Sequence, residues 1–416
     1  MEPSPVMHES EKPQGGPVTP LELVTGSSVS ARLEPGLAIA REWAGDGLEA
    51  LVLSGSHASG EAAWAEIEGR TISLSDIDLY AVMRDTASAA AATARARAGR
   101  PGLAARLLAS GLAAPLEVGF LTRVDLSRQG ARPGTLELSR SGRVVWGDPT
   151  VSQVFPRWNV GDVPFEEVRL LLENRAFELL DAFAGVREEG LTQLRARHAV
   201  LKSAADLASV LCLARGEWPE GSAARVAWAS EHVLPQLDGV LPGEWGDAIE
   251  RLPLLWREAL AWRSGAVRTL DPKAARAEWL AAVRCWCAVW WLTGDEPRRG
   301  VWERVLAVAA RAPLRRRARQ AVGHAPRSGR PEPALTRLKS WLAGTPQHRV
   351  NGSASALLLA AASSASPSRP ALPVGALRVL RALGVTAARD WDAARADVLR
   401  AWDERVLDGQ RTAGDA

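Results

Sequence analysis

Residues 51–83 read LVLSGSHASGEAAWAEIEGRTISLSDIDLYAVM. Leu51, Val52 and Leu53 are a short apolar run stopped by Ser54, Gly55 and Ser56, the pattern of a buried strand that ends in a tight turn leading into a helix. Glycine at 55 lets the backbone come close to a ligand. On a second strand Asp76 and Asp78 stand two residues apart. Side chains alternate across a strand, which puts both carboxylates on one face and points Ile77 and Leu79 into the core. Two adjacent carboxylates repel, and a fold that builds such a pair neutralises it with a cation or a shared proton. Oxygen-only ligands suit Mg²⁺ or Mn²⁺. Mg²⁺ takes one or two carboxylates and leaves its other positions to water and substrate phosphates. A phosphate-cradling turn belongs nearby, and Gly55-Ser56 offers one: free N–H groups at a helix start attract anions, and the Ser56 hydroxyl adds a hydrogen bond.

A strand, then Gly-Ser, then Ser-Asp-Ile-Asp-Leu on the next strand resembles the signature of the polymerase-β-like nucleotidyltransferase superfamily. The resemblance implies that Asp76 and Asp78 hold the metal ions, that Gly55 and Ser56 grip a nucleoside triphosphate, and that a third carboxylate on a neighbouring strand completes the site. The candidate is Glu117 in PLEVGFL, residues 115–121, where Leu116, Val118 and Phe120 share one face and Glu117 and Gly119 the other. The family often has aspartate there. A second departure is the long gap of residues 57–75 between turn and acidic pair, in which EAAWAEIEGRT reads as an extra hairpin or loop. The other reading of the pair makes Asp76 a turn cap and Asp78 a solvated strand residue.

Composition bounds the rest. A chain of 416 residues has room for two or three domains, and 47% hydrophobic with 24% charged residues is that of an ordinary globular protein. A net charge of +3 is too mild to point to nucleic acid by itself. Three cysteines, Cys212, Cys285 and Cys287, make no disulfide framework and read as buried thiols in a reducing, cytoplasmic setting. No apolar run is long enough to span a membrane, and the N-terminus lacks the basic start and apolar stretch of a signal peptide.

Along the chain, the organisation expected is a disordered tail over residues 1–25, an α/β catalytic domain over 26–155 built on a small mixed sheet with flanking helices, an all-α substrate-side domain over 160–310 and a helical region over 333–416. Leu33 to Trp43 fits an amphipathic helix packed on the sheet. Thr86 to Leu112 favours helix but should break at Gly99, Pro101 and Gly102. TLELSRSGRVVWGD, residues 135–148, reads as a connection and a short strand around Val144 and Val145, and its Trp-Gly-Asp ending resembles the close of the catalytic domain in many of these transferases. Beyond Pro164 the period turns helical: Phe165 to Ala184, then Leu194 to Gly216 with a glycine C-cap. ENRAFELL and RHAVLKSAADLASVLCLARGEWP resemble the helical domain that follows the catalytic one in several nucleotidyltransferases.

Within that helical part Lys202 stands out in a chain where lysine is scarce. It either pairs with Asp206 one turn on, or reaches across the cleft to the triphosphate, where its charge would stabilise the transition state. Arg175 is a weaker candidate of the same kind. His57 and His198 either touch substrate or are satisfied structural histidines. The tryptophans at 256, 262, 279, 286, 290, 291 and 302 recur with Leu, Ala and Val at helical spacing, which favours core packing over base stacking. Arg311 to Pro331 is the one basic cluster, a solvated surface or a contact to nucleic-acid phosphates. In sum the sequence points to a Mg²⁺- or Mn²⁺-dependent nucleotidyltransferase of the EC 2.7.7 type. It would move AMP from ATP, or another nucleoside monophosphate, to a hydroxyl of a small molecule or protein, with nucleic acid the less favoured partner. Its rivals are a catalytically inactive scaffold of the same fold and a nucleic-acid-binding protein.

Overall fold

The structure is a computed structural model that describes residues 26–67, 69–237, 245–293, 300–310, 346–364, 370–385 and 389–403. The expected tail, the basic cluster from Arg311 to Pro331 and residues 333–345 of the expected C-terminal helical region lie outside them. Strand Leu48–Ser54 (β1) follows helix Gly26–Ala44 (α1), on which Leu33, Leu37, Ala40 and Trp43 are buried as the spacing requires. The chain turns through a short helix, Gly55–Ser59 (α2), into the hairpin Trp64–Ile67 (β2) and Arg70–Ser73 (β3), then enters Ile77–Met83 (β4). Helices Thr86–Gly99 (α3) and Leu103–Ala109 (α4) are separated at Arg100–Gly102, where proline and glycine interrupt the backbone ladder. Strand Leu116–Thr122 (β5), helices Arg123–Ser127 (α5) and Pro133–Ser141 (α6), and strand Arg143–Gly147 (β6) complete this half.

The main sheet runs β5-β4-β1-β6, with β4 and β5 parallel and the other two pairs antiparallel. On one face Leu51, Leu53, Ile77, Leu79, Ala81 and Met83 pack under α1, α3 and α4. On the other, Ala50, Val52 and Val82 meet Leu126, Leu138, Val151 and Phe155. Asp78 alternates with the first set and therefore shares the second face, towards α6. The stretch read as a plain connection before β6 is in part the helix α6. Pro133 sits in its first turn, and the Arg132 N–H donates to Thr135 Oγ1 at 3.0 Å.

From Phe165 the described chain is helical: Phe165–Gly185 (α7), Gly190–Leu213 (α8), Gly221–His232 (α9), Gly246–Arg263 (α10), Pro272–Leu292 (α11), Val301–Ala310 (α12), Pro346–Ala362 (α13), Val374–Ala382 (α14) and Trp391–Trp402 (α15). After α8, Gly216 takes φ +76° and the chain closes back on the helix end, the Glu217 N–H donating to Cys212 O at 3.0 Å. One large core runs through α7, α8, α11 and α13. Trp256, Trp279, Trp286 and Trp290 belong to it, Trp291 and Trp302 pack against it, and Trp262 is buried in a smaller cluster beside it. The indole N–H groups of Trp279, Trp286 and Trp391 donate to Leu179 O, Leu172 O and Leu357 O at 2.7–2.9 Å, which satisfies each polar tip inside an apolar body. All three cysteines are buried free thiols, and burial pushes Cys212 and Cys285 up to about 12. No described helix is long and apolar enough to cross a membrane.

The hairpin is one of the places where the two halves meet, beside Leu136 of α6, which lies in the helical core. Ala63, Ala65 and Leu74 pack against Leu194, Leu201 and Ala205 of α8 and Ala259 and Trp262 of α10. The excursion of residues 57–75 thus contains a β-hairpin, which packs the sheet against the helical wall.

Candidate functional site

β1 ends at Ser54, in register with Asp78 on β4. Gly55 follows with φ +65°, and a Cβ on it would stand 2.5 Å from Asp78 Oδ2. Only glycine satisfies both conditions, so the turn and the carboxylate are built against each other. Glu117 on β5 is in register with Asp78 and exposed. Burial, then Asp76, then Glu117 push the Asp78 carboxyl up to about 7.

Asp76 is placed by a buried polar knot. The Ser73 hydroxyl donates to Ser75 O at 2.8 Å, His57 Nε2–H donates to Ser73 Oγ at 3.1 Å, and Ser75 Oγ accepts from the Ala63 N–H at 3.0 Å. His57 meets the edge of Trp64 at 5.2 Å between ring centroids. Burial lowers its pKa to about 4, which leaves a neutral structural histidine.

From the opposite wall Lys202 on α8 does cross the cleft. Its Nζ lies 3.3 Å from Asp76 Oδ2 and 3.4 Å from Glu178 Oε1 on α7. Asp206, the partner that helical spacing offers, is taken by Arg175 Nε at 2.8 Å instead, and Arg175 also pairs with Glu178. Charges therefore alternate from the sheet into the helices: Asp76, Lys202, Glu178, Arg175, Asp206. Burial would raise Glu178, but Arg175 and Lys202 outweigh it and hold the carboxyl at about 2. Burial likewise opposes the charge on Lys202, and Glu178 and Asp76 overcome it, raising its pKa.

A cavity of about 260 Å³ lies between these walls, and its lining joins Gly55, Ser56, Asp76 and Asp78 to Lys202, Arg175 and His198. Sequence reading missed its remaining charged residues, Glu61, Glu137, Arg225 and Arg263. Glu61, between α2 and the hairpin, accepts from Ser222 N–H at 2.6 Å and Ser222 Oγ–H at 2.7 Å at the start of α9, and pairs with Arg263 of α10. Burial raises its pKa less than Arg263 and Ser222 lower it. Glu137 on α6 pairs with Arg225 at 3.3 Å, and burial pushes its carboxyl up. Arg225 lies 4.4 Å over the Trp218 ring. Contacts between residues so distant in the chain leave no spacing to read. Glu137 alone carried a signal, as the one acid among the apolar positions of a helix opened by proline.

No protein-family model and no curated protein matches this chain. The site's chemistry therefore rests on its own residues. Among those described, no three His, Cys, Asp or Glu side chains converge to hold a metal ion. Of the five carboxylates that line the cavity, Glu61, Glu137 and Asp206 pair with arginines, which leaves Asp76 and Asp78 on the sheet side, where the rise of Asp78 to about 7 marks a charge that the protein leaves under-compensated. Two carboxylates, with further positions open to water and phosphate, are what Mg²⁺ takes in such sites, and the donor set fits it.

Proposed function

We propose that the chain is a Mg²⁺- or Mn²⁺-dependent nucleotidyltransferase of the polymerase-β-like kind, moving AMP from ATP, or a related nucleoside monophosphate, to a hydroxyl of a small molecule or protein with release of pyrophosphate. The observation that carries this reading is one cavity lined together by the Gly55-Ser56 turn, by Asp76 and Asp78, and by Lys202 from the helical wall. Asp76 and Asp78 would hold the ion, with Glu117 beside Asp78 as the third acid of the family pattern. A divalent ion there offsets triphosphate charge and makes the attacking hydroxyl more acidic. Gly55 and Ser56 bind and orient the β- and γ-phosphates through backbone N–H and hydroxyl donors, leaving pyrophosphate in line to depart. The acceptor oxygen attacks the α-phosphorus, the bond from phosphorus to pyrophosphate breaks, and the hydroxyl proton passes to a carboxylate, the role assigned to Glu117. Lys202 supplies positive charge to the phosphates.

A second reading is favoured by one contact. Lys202 Nζ already neutralises Asp76 at 3.3 Å, as it would in a scaffold of this fold that transfers nothing. Thermal stabilisation by each NTP decides between them without a known acceptor, since ligand binding raises the melting temperature by mass action. A shift with one nucleotide that requires Mg²⁺ and disappears in Asp76→Ala and Asp78→Ala is the expected result. No shift with any nucleotide would overturn the transferase and leave the scaffold.

A further inference from the structure

His198 lines the cavity and takes part in none of the ion pairs described above. It sits one turn before Lys202 on α8, and Trp262 Nε1 lies 3.2 Å from its Nδ1. An indole N–H can only donate, so Nδ1 must present its lone pair, and in the neutral ring the proton is on Nε2. That tautomer is held from behind. The Arg197 guanidinium lies 5.0 Å over the Trp262 ring, and Glu278 grips Arg197 through both oxygens at 2.7 Å. Nε2 has no hydrogen-bond partner among the described residues, while the ring borders the cavity. The same lining carries the Ser56 hydroxyl and three cations, Lys202, Arg175 and Arg263, each of which is paired with a carboxylate.

We propose that His198 is a fixed N–H donor to a phosphate oxyanion in this cavity, its Nε2–H aimed by the Trp262 indole and working beside Lys202. The ligand's identity, though not the donor itself, rests on the transferase reading: the oxyanion belongs to the triphosphate of the donor nucleotide or to a phosphate carried by the acceptor. The ring does not act as an acid or base. Burial first, then the charges of Lys202 on the same helix, Arg263 on α10 and Arg175 on α7, lower its pKa to about 3 against the opposing pull of Glu178 on α7, so it donates in the same form across the physiological range. A neutral imidazole N–H in a water-poor site stabilises negative charge without giving its proton away.

The first test is ¹⁵N-histidine NMR on the full chain, with the His198 signals assigned by their loss in His198→Gln. The expected result is an Nε2–H tautomer that does not titrate from pH 5 to 9. An Nδ1–H tautomer, or titration in that window, would overturn the proposal. The second is calorimetric titration with inorganic tripolyphosphate and, separately, inorganic phosphate. His198→Gln, whose amide nitrogen can take the place of Nε2, should keep the affinity within about threefold. His198→Leu should lose about tenfold or more, the usual loss when one hydrogen bond to a charged group is removed. A loss for tripolyphosphate alone assigns the donor nucleotide, and a loss for phosphate alone assigns the acceptor. Equal affinities in wild type and His198→Leu, or no binding of either anion by the wild type, would sink it. Should His198→Leu not fold, the tautomer decides alone. Anion binding that depends on His198 in a protein with no Mg²⁺-dependent NTP shift would keep this site and remove the transferase, whereas the reverse pattern would remove His198 only.

Discussion

At the scale of single residues, Gly55 and Asp78 are one device. A methyl group at 55 meets Asp78 Oδ2 at 2.5 Å on a backbone with φ +65°. Gly55→Ala should therefore cost about 1–2 kcal/mol for the left-handed conformation alone, visible in urea denaturation, and should abolish the Mg²⁺-dependent nucleotide shift by displacing the carboxylate. Asp78 also writes a pH signature. Its folded pKa of about 7 lies above the ordinary value of 3.8, so the native state holds the extra proton between those limits. Stability from this group is complete below pH 4 and is lost as pH rises to 7. In chelator-treated protein, Asp78→Asn should flatten the fall in melting temperature over that window. An unchanged slope would show that Asp78 is not the crowded acid. Both residues were legible in the sequence, because strand alternation and a glycine before serine are local signals. The partner of Lys202 was not. Helical spacing offered Asp206, and the structure gives Asp206 to Arg175 and Lys202 to Asp76, a choice made by packing between α7 and α8.

Elements repeat that division between local and distant signals. The hairpin of β2 and β3 was readable from an overlong gap with strand-like residues in it, yet its purpose was not, since apolar Ala63, Ala65 and Leu74 do not announce that they will meet α8 and α10. The loop that leads into it carries Glu61, whose carboxylate caps α9 from outside the helical half, taking both the N–H and the hydroxyl of Ser222. An N-cap supplied by another element is invisible to a search for Ser, Thr, Asp or Asn at the helix start. Glu61→Ala leaves the α9 donors unpaired and Arg263 part-buried without its carboxylate. The expected cost is about 1–3 kcal/mol by chemical denaturation, with faster amide exchange at Ser222 than anywhere in α11. If exchange at Ser222 were unaltered, Glu61 would not be what holds the start of α9.

On the scale of the whole molecule the cavity exists because two separately cored bodies are held in one orientation. The sheet has apolar clusters on both faces, the helices have their own, and a smaller cluster joins them. The walls of the cavity that come from α2, the β3–β4 loop, β4 and α6 belong to the first body, while Lys202, His198, Arg175 and Arg263 belong to the second. Ala65 tests this. It is 2% exposed, lies on β2 and packs in the joining cluster rather than in either main core. An aspartate there buries an unpaired charge between the bodies. Were the molecule a single cooperative core, Ala65→Asp would simply lower one melting transition. The arrangement of clusters calls for another result: two calorimetric transitions, with tryptophan fluorescence, to which the helical half contributes most of the buried indoles, reporting a helical midpoint close to wild type. The nucleotide shift should vanish as well, although no residue of the cavity has been altered, because the orientation that brings Lys202 to Asp76 is gone. A single transition with the shift retained would show that the ion pairs of the cavity, and not the hairpin, set how the two bodies meet.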